Sequence, residues 1–367
     1  MKRIILSGGG TGGHIYPSVA VAEALTRLLG DQVQILFAGA EGKMEMDIIP
    51  KLGYEIVGLP VVGIQRRFTL RNLAVPGRLL NSLRKARKVI EEFKPDAVAG
   101  FGGYASLPTL REAQKMGIPT LIQEQNSYAG LANRFLARKA KKICVAYDNM
   151  EQFFPADRIV MTGNPLRGNI GASKVDRQQA LDYYGFSAEL PVLLVVGGSL
   201  GTRTLNNMMK SWIVTLGGTA PVQVIWQTGR FYQAEMEAFA KHYPTQNIKQ
   251  CAYIERMDYA YAAADLVISR SGACSVSELS LAAKPVIFVP SPNVAEDHQT
   301  KNAHALVDKG AALAVADSDA VECAMDRALD LLASPKKLKA LSNNIKKLAI
   351  ADSADRVARE ILNLIKQ

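Results

Sequence analysis

Short apolar runs alternate with longer segments of helical apolar spacing along the whole chain. In the first half, the predicted buried strands are Lys2–Leu6, Val33–Phe37, Ala97–Ala99, Thr120–Ile122 and Lys142–Val145. The scheme returns after residue 165, where the predicted strands are Val192–Val196, Val222–Trp226, Leu266–Ile268 and Val286–Val289. Such alternation is typical of parallel sheets covered by helices. We therefore predict an α/β fold with two doubly wound, Rossmann-like domains that face a cleft.

Turn-forming residues mark the break between the two halves. Glycine, asparagine and proline cluster in Gly163–Gly168, directly after the first set of strands. We place the linker there because such clusters interrupt regular elements. The length of 367 residues suits two or three domains of ordinary size. The last segment, Ser353–Ile365, is predicted to be a helix.

Charge is unevenly distributed and narrows the choice of partners. The net charge is +10; residues 1–165 hold 22 basic and 14 acidic side chains, and the remainder holds 22 and 20. A positive field over one half implies an anionic partner: nucleic acid, a membrane surface or a phosphorylated substrate. The four cysteines form no C-x-x-C pair, which argues against a zinc site and fits a reducing, cytoplasmic location. Without an apolar run of about 18 residues, any membrane association is expected to be peripheral.

Two glycine-rich loops each follow a predicted strand and open a predicted helix. They are Ser7–His14 in the first half and Gly197–Arg203 in the second. Backbone amides in such loops can approach an anion, and the helix N-terminus adds about half a positive charge. We expect both loops to face one ligand at the carboxyl ends of the strands. The alternative for each loop is a tight turn without a ligand.

The first loop also satisfies the dinucleotide pattern G-x-G-x-x-G, so nicotinamide or flavin binding is another alternative. That interpretation requires an acid near the end of the second strand, and the nearest, Glu41, lies past that strand. The second loop lacks the spacing and the Lys-Ser/Thr ending of a P-loop.

Three polar motifs follow other predicted strands. In Arg270–Glu278, Ser271 can cap a helix, and Glu278 lies about two turns further on, where a carboxylate could bind a ribose diol. Glu296–Asn302 and Glu124–Asn126 carry amide and carboxylate groups that suit sugar hydroxyls. The alternative is an ordinary polar helix start or, for Glu278, a surface glutamate or one paired with a neighbour.

Taken together, the motifs resemble the MurG family. The resemblance rests on Gly9–His14, Gly100–Tyr104, Glu124–Asn126, Gly163–Arg167, Gly197–Ser199 and Arg270–Glu278, in this order along almost the whole chain. This family is the UDP-N-acetylglucosamine:N-acetylmuramyl-(pentapeptide) pyrophosphoryl-undecaprenol N-acetylglucosamine transferases, which convert lipid I to lipid II in peptidoglycan synthesis. The resemblance implies a GT-B fold. It also implies an acceptor and membrane-associating domain at 1–163 plus about 345–367, and a donor domain at 164–344.

The resemblance further implies roles for individual residues. Ser199 and the backbone amides of its loop would bind the pyrophosphate, and Arg167 would lie nearby. The residues offering amides to phosphate would be Ala273, Cys274, Ser275, Val276 and Ser277. The backbone at Ile254 would read uracil, and Glu278 would hold the ribose. The N-acetylglucosamine hydroxyls would meet Gln299 and Asn126, although the family often has two glutamines where this chain has His298-Gln299. The cleft would be shaped from the other side by Thr11, Gly12 and Gly13.

The family's reaction is a single inverting displacement at the anomeric carbon. The diphosphate leaves, and the attacking hydroxyl needs a base. His14 is the first candidate because it lies at the mouth of the acceptor-side loop and titrates near neutrality. The alternative is a structural role or contact with the acceptor phosphate.

This chemistry requires no metal and no other cofactor. Asp317-Ser318-Asp319 matches D-x-D, which in other transferases holds Mg²⁺, but we expect it to lie away from every glycine motif. We predict full activity in excess chelator, measured as UDP release. Activity that falls with chelator and returns with Mg²⁺ would contradict this expectation.

A basic amphipathic helix is predicted over Pro76–Lys94. The residues of this helix that would face a membrane are the apolar Leu79, Leu80 and Leu83 and the basic Arg78, Arg84, Lys85, Arg87 and Lys88. We expect an interfacial patch on anionic lipid of the inner cell membrane, extended by Arg66, Arg67 and Arg71. The alternative is a core-packed helix with a solvated basic face. We expect no nucleic acid partner, because no recognition motif accompanies the charge.

Two further functions stay open beside the transferase. A UDP-N-acetylglucosamine 2-epimerase shares the architecture and the nucleotide, but it needs no lipid-facing basic surface. A nonenzymatic binding module would take up the sugar nucleotide without releasing UDP when a lipid-linked acceptor is present.

Overall fold

The computed structural model of the chain describes residues 1–61, 75–166, 175–198 and 200–366, and the chain divides into two compact α/β units. The first unit is Met1–Arg167 with Asp352–Gln367, and the second unit is Gly168–Ala351. The division thus lies slightly later than the expected 163/164. Asn164 stays with the first unit, since its Nδ2 donates to the Gln125 carbonyl at 3.0 Å. Residues 345–351 belong to the second unit, because helix Pro335–Lys346 packs on two helices of that unit.

A parallel sheet forms the centre of the first unit, with strand order β3-β2-β1-β4-β5-β6-β7 among the described residues. The strands are β1 Lys2–Ser7, β2 Val33–Ala40, β3 Glu55–Leu59, β4 Ala97–Gly100, β5 Thr120–Glu124, β6 Lys142–Val145 and β7 Ile159–Met161. Ser7, at the end of β1, pairs with Ala38 in β2 and with Gly100 in β4. The loops that follow these three strands therefore begin at one edge of the sheet.

Helices cover both faces of this sheet. They are Gly12–Leu29, Glu45–Lys51, Val75–Phe93, Ser106–Lys115, Leu131–Leu136 and Ser353–Lys366. The C-terminal helix packs beside the first helix, where Ile361 shares a buried cluster with Leu25 and Ile4. Arg27 and Asp355 form an ion pair between the same two helices. The chain therefore returns to its first unit at the C-terminus.

A second parallel sheet forms the centre of the second unit, with strand order β10-β9-β8-β11-β12-β13 in the described part. The strands are β8 Val192–Val196, β9 Thr219–Gln227, β10 Gln246–Cys251, β11 Leu266–Ser269, β12 Val286–Phe288 and β13 Leu313–Ala314. The helices are Arg177–Tyr184, Arg203–Thr215, Gln233–His242, Met257–Ala263, Ala273–Leu281, His298–Val307, Ala320–Leu332 and Pro335–Lys346. Val196 pairs with Gln227 and Ser269, so the loops after β8, β9 and β11 share one edge.

Candidate functional site

A buried carboxylate lies beneath the first glycine loop. Glu45 has no solvent exposure, and its carboxylate accepts hydrogen bonds from the Gly10 N–H at 3.0 and 3.1 Å and from the Ala40 N–H at 2.9 Å. A Cβ atom at Gly9 or Gly39 would overlap the Glu45 side chain. Glycines at these positions therefore make room for a carboxylate. The Gly10 amide is already bonded to an anion, which argues against a dinucleotide pyrophosphate at that amide.

His14 lies in the first turn of the helix that follows this loop. Its Nδ1 is 3.2 Å from the Gly9 carbonyl oxygen and 3.2 Å from the Thr11 hydroxyl. A carbonyl oxygen can only accept, so the contact with Gly9 assigns a proton to Nδ1 and leaves the lone pair of the neutral ring on Nε2. Thr11 is exposed and N-caps the helix, and Gly12 begins it. The ring is thus oriented in the tautomer that a general base at Nε2 requires.

The backbone after β4 packs against the His14 ring. Gly102 has φ +89°, and a Cβ there would lie 2.8 Å from Cδ2 and 2.9 Å from Nε2 of His14. On the prediction that His14 is the base, Gly102→Ala should lower kcat by roughly 10²-fold, because a catalytic group displaced by about 1 Å loses that much activity. Steady-state UDP release measures kcat, and calorimetry should show unchanged UDP binding.

Gly117→Ala is the matched control for this prediction. Gly117 also has positive φ, +76°, but a Cβ atom added there would have nothing within 4 Å. The control shares the backbone strain and lacks the clash with His14. Equal losses in the two variants would mean that strain alone explains the effect.

Asn126 lies on a loop organised by another buried carboxylate. Glu124 is 2% exposed and accepts from the Asn126 N–H at 3.0 Å, the Asn126 Nδ2 at 3.3 Å, the Gly130 N–H at 3.1 Å and the Asn133 Nδ2 at 2.8 Å. The carboxylate therefore fixes the orientation of the Asn126 amide. Glu124 thus supports the loop that carries Asn126.

The second glycine loop borders a cavity of about 650 Å³ within the second unit. Among its lining residues are Gly197, Gly201, Arg203, Arg270, Gln299 and Asp317. Gln299 is a predicted site residue, and its Oε1 accepts from the Ser291 N–H at 2.9 Å. The predicted residues Ser199 and Arg167 lie outside the described residues. The cavity thus joins the glycine loop to the fourth motif.

The expectation that Asp317 lies away from every glycine motif is wrong, because Asp317 lines the same cavity as Gly197. It follows β13, which pairs with β12 and ends at the same edge of the sheet. Its carboxylate pairs with Arg270 at 2.5 Å and accepts from the Thr204 hydroxyl at 3.1 Å. Across residues 1–61, 75–166, 175–198 and 200–366, no three His, Cys, Asp or Glu side chains are grouped closely enough to hold a metal ion.

The helix Ala273–Leu281 begins differently from the prediction. Its N-cap is Gly272, so the prediction that Ser271 caps it is wrong. The Ser271 hydroxyl instead donates to the Gln299 carbonyl at 2.8 Å and ties this helix to the next motif. The predicted residues from Ala273 to Ser277 form the first turns, where the helix dipole favours an anion.

Glu278 projects from this helix and is half-buried. The Tyr261 hydroxyl donates to Glu278 Oε2 at 3.3 Å, so Glu278 has a hydrogen-bond partner within the protein. Burial and the Glu278 charge raise the pKa of Tyr261 well above its usual value, which keeps this hydroxyl a donor. Burial and the same charge raise the pKa of Cys274 to about 12, so its thiol is protonated at neutral pH. Among Glu278, Tyr261 and Cys274, the Glu278 carboxylate is therefore the charged hydrogen-bond acceptor.

Gln227 connects two of the predicted ligand-binding segments, and the sequence did not single it out. It is 3% exposed; its Nε2 donates to the Gly198 carbonyl at 2.9 Å, and its Oε1 accepts from the Ile254 N–H at 2.8 Å. The Ile254 N–H is therefore engaged within the protein. The glycine loop and the segment at Ile254 are held in a fixed relation by one buried amide.

Comparisons with known proteins agree with this arrangement. The glycosyltransferase family 28 N-terminal domain matches residues 4–145, and the corresponding C-terminal domain matches residues 192–357. A UDP-N-acetylglucosamine–N-acetylmuramyl-(pentapeptide) pyrophosphoryl-undecaprenol N-acetylglucosamine transferase of Parabacteroides distasonis is 53% identical, over 99% of this chain and 98% of that protein. The crystal structure of Acinetobacter baumannii MurG covers 99% of this chain and 100% of its own, with a TM-score of 0.79 and 30% identity.

The epimerase alternative is supported only at the level of the fold. A UDP-GlcNAc 2-epimerase from Neisseria meningitidis, solved with UDP-GlcNAc, has a TM-score of 0.65 over 99% of this chain and 100% of its own. It is only 15% identical. The predicted GT-B fold of two α/β units with parallel sheets is confirmed. The chain belongs to glycosyltransferase family 28, as a member of its N-acetylmuramyl-(pentapeptide) pyrophosphoryl-undecaprenol N-acetylglucosamine transferases.

Proposed function

We propose that the chain transfers N-acetylglucosamine from UDP-N-acetylglucosamine to the 4-hydroxyl of the muramyl sugar of lipid I, with inversion. The product is lipid II, the precursor of peptidoglycan. Peptidoglycan synthesis in turn is needed for cell shape and cell division. One observation carries the proposal: in a chain of this family, the Gly9 carbonyl orients His14 so that Nε2 can accept a proton. The first unit provides this base, and the second unit binds the donor.

Most of the groups proposed to hold the donor lie at one edge of the sheet of the second unit. The positive end of helix Ala273–Leu281 and the glycine loop at Gly197 are the groups proposed to bind the pyrophosphate. The roles of Ser199 and Arg167 at the pyrophosphate rest on the family resemblance alone, since both lie outside the described residues. Glu278 accepts from the ribose hydroxyls. Because Gln227 already engages the Ile254 N–H, the Ile254 carbonyl is the group that accepts from the uracil N3–H. Gln299 of the second unit and Asn126 of the first unit are each proposed to bind sugar hydroxyls.

The reaction is one displacement. The lipid I hydroxyl gives its proton to His14 Nε2 as its oxygen bonds to the anomeric carbon. The bond from that carbon to the diphosphate oxygen breaks, and its electron pair leaves with UDP. Amides and the helix terminus stabilise the departing charge, and one such donor is worth about 3 kcal/mol.

Acceptor-dependent UDP release tests the proposal. The chain is incubated with UDP-N-acetylglucosamine with and without a lipid I analogue, and UDP and sugar products are quantified by mass spectrometry. We expect UDP and a β-linked disaccharide only when the acceptor is present. Epimerised UDP-sugar without acceptor would indicate the epimerase, and binding without UDP release would indicate a binding module.

The basic helix Val75–Phe93 supports a proposed association with the cytoplasmic face of the inner cell membrane. Ser82, Ala86 and Ile90 form its buried stripe. Leu80 is 50% exposed, whereas Leu79 and Leu83 are half-buried, so Leu80 is the main apolar contact available to lipid. No helix within the described ranges is both long and apolar enough to cross a bilayer.

The cations of this helix differ in whether a neighbouring carboxylate forms an ion pair with them. Lys85 pairs with Glu41 at 2.7 Å, Arg87 with Glu91 at 2.9 Å and Lys88 with Glu92 at 3.7 Å. Arg78 and Arg84 are exposed and form no ion pair with any described residue. The three paired cations contribute less net charge than the sequence suggested. Arg78 and Arg84 therefore supply most of the attraction to anionic lipid.

We predict that Arg78→Gln with Arg84→Gln lowers binding to phosphatidylglycerol vesicles by roughly tenfold or more, because each cation near such a surface contributes about 1 kcal/mol. Vesicle co-sedimentation measures the effect. Lys336→Gln with Lys337→Gln, two exposed cations of the second unit, is the matched control. Equal binding of both double variants and the unmodified chain would contradict the proposed patch.

A further inference from the structure

One peptide group connects the buried carboxylate of Glu45 to His14. The Gly10 N–H donates to Glu45, and the Gly9 carbonyl accepts from His14 Nδ1. The Gly9 carbonyl and the Gly10 N–H are the two ends of a single planar amide. We infer that Glu45 is a positioning residue that acts on His14 through the Gly9–Gly10 peptide, an inference that rests on the proposed role of His14 as base.

The physical basis is polarisation of the amide. A carboxylate bonded to an amide N–H draws the resonance toward the charge-separated form and increases electron density on the carbonyl oxygen. The Gly9 oxygen then becomes a stronger acceptor for the His14 Nδ1–H. Since Glu45 has no solvent exposure, water does not screen its charge. The carboxylate thereby favours the Nδ1–H tautomer and stabilises the imidazolium that forms when Nε2 takes a proton.

The surroundings hold this peptide in place. A Cβ at Gly103 would overlap the Gly9 carbonyl oxygen, so the backbone after β4 presses directly on the peptide. The Thr11 hydroxyl and the Gly102 backbone, which face the ring, carry no charge. Glu45 is the charged group at the far end of the amide. The arrangement follows the logic of a catalytic triad, in which a third group orients the base, with a peptide inserted between the two side chains.

The first test uses the unaltered protein. In ¹³C,¹⁵N-labelled chain, the Gly9 carbonyl carbon and the Gly10 amide nitrogen are followed by NMR while His14 is titrated. We expect both resonances to shift with the same midpoint as His14. If His14 titrates while the Gly9 and Gly10 resonances stay constant, the inference is overturned.

The second test removes the charge and keeps an acceptor. Glu45→Gln retains an oxygen for the Gly10 and Ala40 N–H groups. Glu112→Gln is the matched control, because Glu112 is also buried in the first unit but pairs with Lys115 at 2.7 Å. The chain has four histidines, so His14→Gln assigns the His14 signal.

We expect Glu45→Gln to lower the measured pKa of His14 by about half a pH unit and to reduce kcat about tenfold, with an unchanged KM for UDP-N-acetylglucosamine. Glu112→Gln should change neither value. An unchanged His14 pKa and tautomer in folded Glu45→Gln would refute the inference. If Glu45→Gln fails to fold, the titration of the unaltered protein decides. If His14→Gln retains full activity while the NMR coupling is present, the base assignment fails and the Glu45–His14 connection stands.

Discussion

Replacing His14 with glutamine should lower kcat for acceptor-dependent UDP release by about 10²- to 10⁴-fold, the usual contribution of a general base. The reason is that His14 Nε2 carries the lone pair when the Gly9 carbonyl holds Nδ1–H at 3.2 Å. Glutamine is similar in size but cannot accept and release a proton near neutral pH. The KM for UDP-N-acetylglucosamine should stay close to its original value, since His14 is not among the groups proposed to bind the donor. Steady-state kinetics at saturating acceptor measure both quantities.

His242→Gln is the control for this prediction. His242 is exposed at the end of a helix in the second unit and belongs to no candidate site. Its replacement should leave turnover unchanged. Turnover of His14→Gln within threefold of the original would remove His14 from the role of base and leave it a structural role.

Replacing Glu278 with glutamine should raise the Kd for UDP by roughly 10²-fold and change kcat little. A hydrogen bond to a charged group contributes about 1.5–3 kcal/mol, and a ribose diol offers two donors to this carboxylate. Glutamine keeps an oxygen for the Tyr261 hydroxyl, which now lies 3.3 Å from Glu278 Oε2, so the local packing should persist. Titration calorimetry with UDP gives the Kd directly.

The ligand itself can serve as a second probe of Glu278. The unmodified chain should bind 2′-deoxy-UDP more weakly than UDP, and this difference should disappear in Glu278→Gln. Tyr261→Phe removes the hydrogen bond to Glu278 and leaves the carboxylate in place, so this variant should keep the discrimination between the two nucleotides. If Glu278→Gln discriminates as well as the unmodified chain, Glu278 does not contact the ribose, and its bond with Tyr261 is structural.

The central strands could be predicted from the sequence, whereas the strands at the sheet edges could not. The apolar runs at Lys142–Val145 and Val192–Val196 correspond to strands with those bounds. Strands β3, β7, β10 and β13 were not predicted, and each is at an edge of its sheet. An edge strand has a neighbour on one side only and needs fewer buried side chains. β10, with the sequence QNIKQC, consequently has no apolar run.

The parts of the site that rest on local sequence were predictable, and the supporting contacts were not. Glycine runs directly after strands located both loops, and Glu278 follows from its position in a helix near the end of β11. Glu45 resembles any acid at a helix start, because its bonds to Gly10 connect residues 35 positions apart. Its only signal was indirect: Gly9 and Gly39 lack the Cβ atoms that its side chain would meet. Gln227 likewise acts through contacts that close only in the folded sheet.

A crystal structure of the chain with UDP-N-acetylglucosamine tests the central claim most directly. We expect the diphosphate against the loop that begins at Gly197 and the helix that begins at Ala273, with the ribose hydroxyls on Glu278 and the uracil beside Ile254. Donor density at any other place, with the surroundings of Gly197 and Glu278 unchanged, would contradict it.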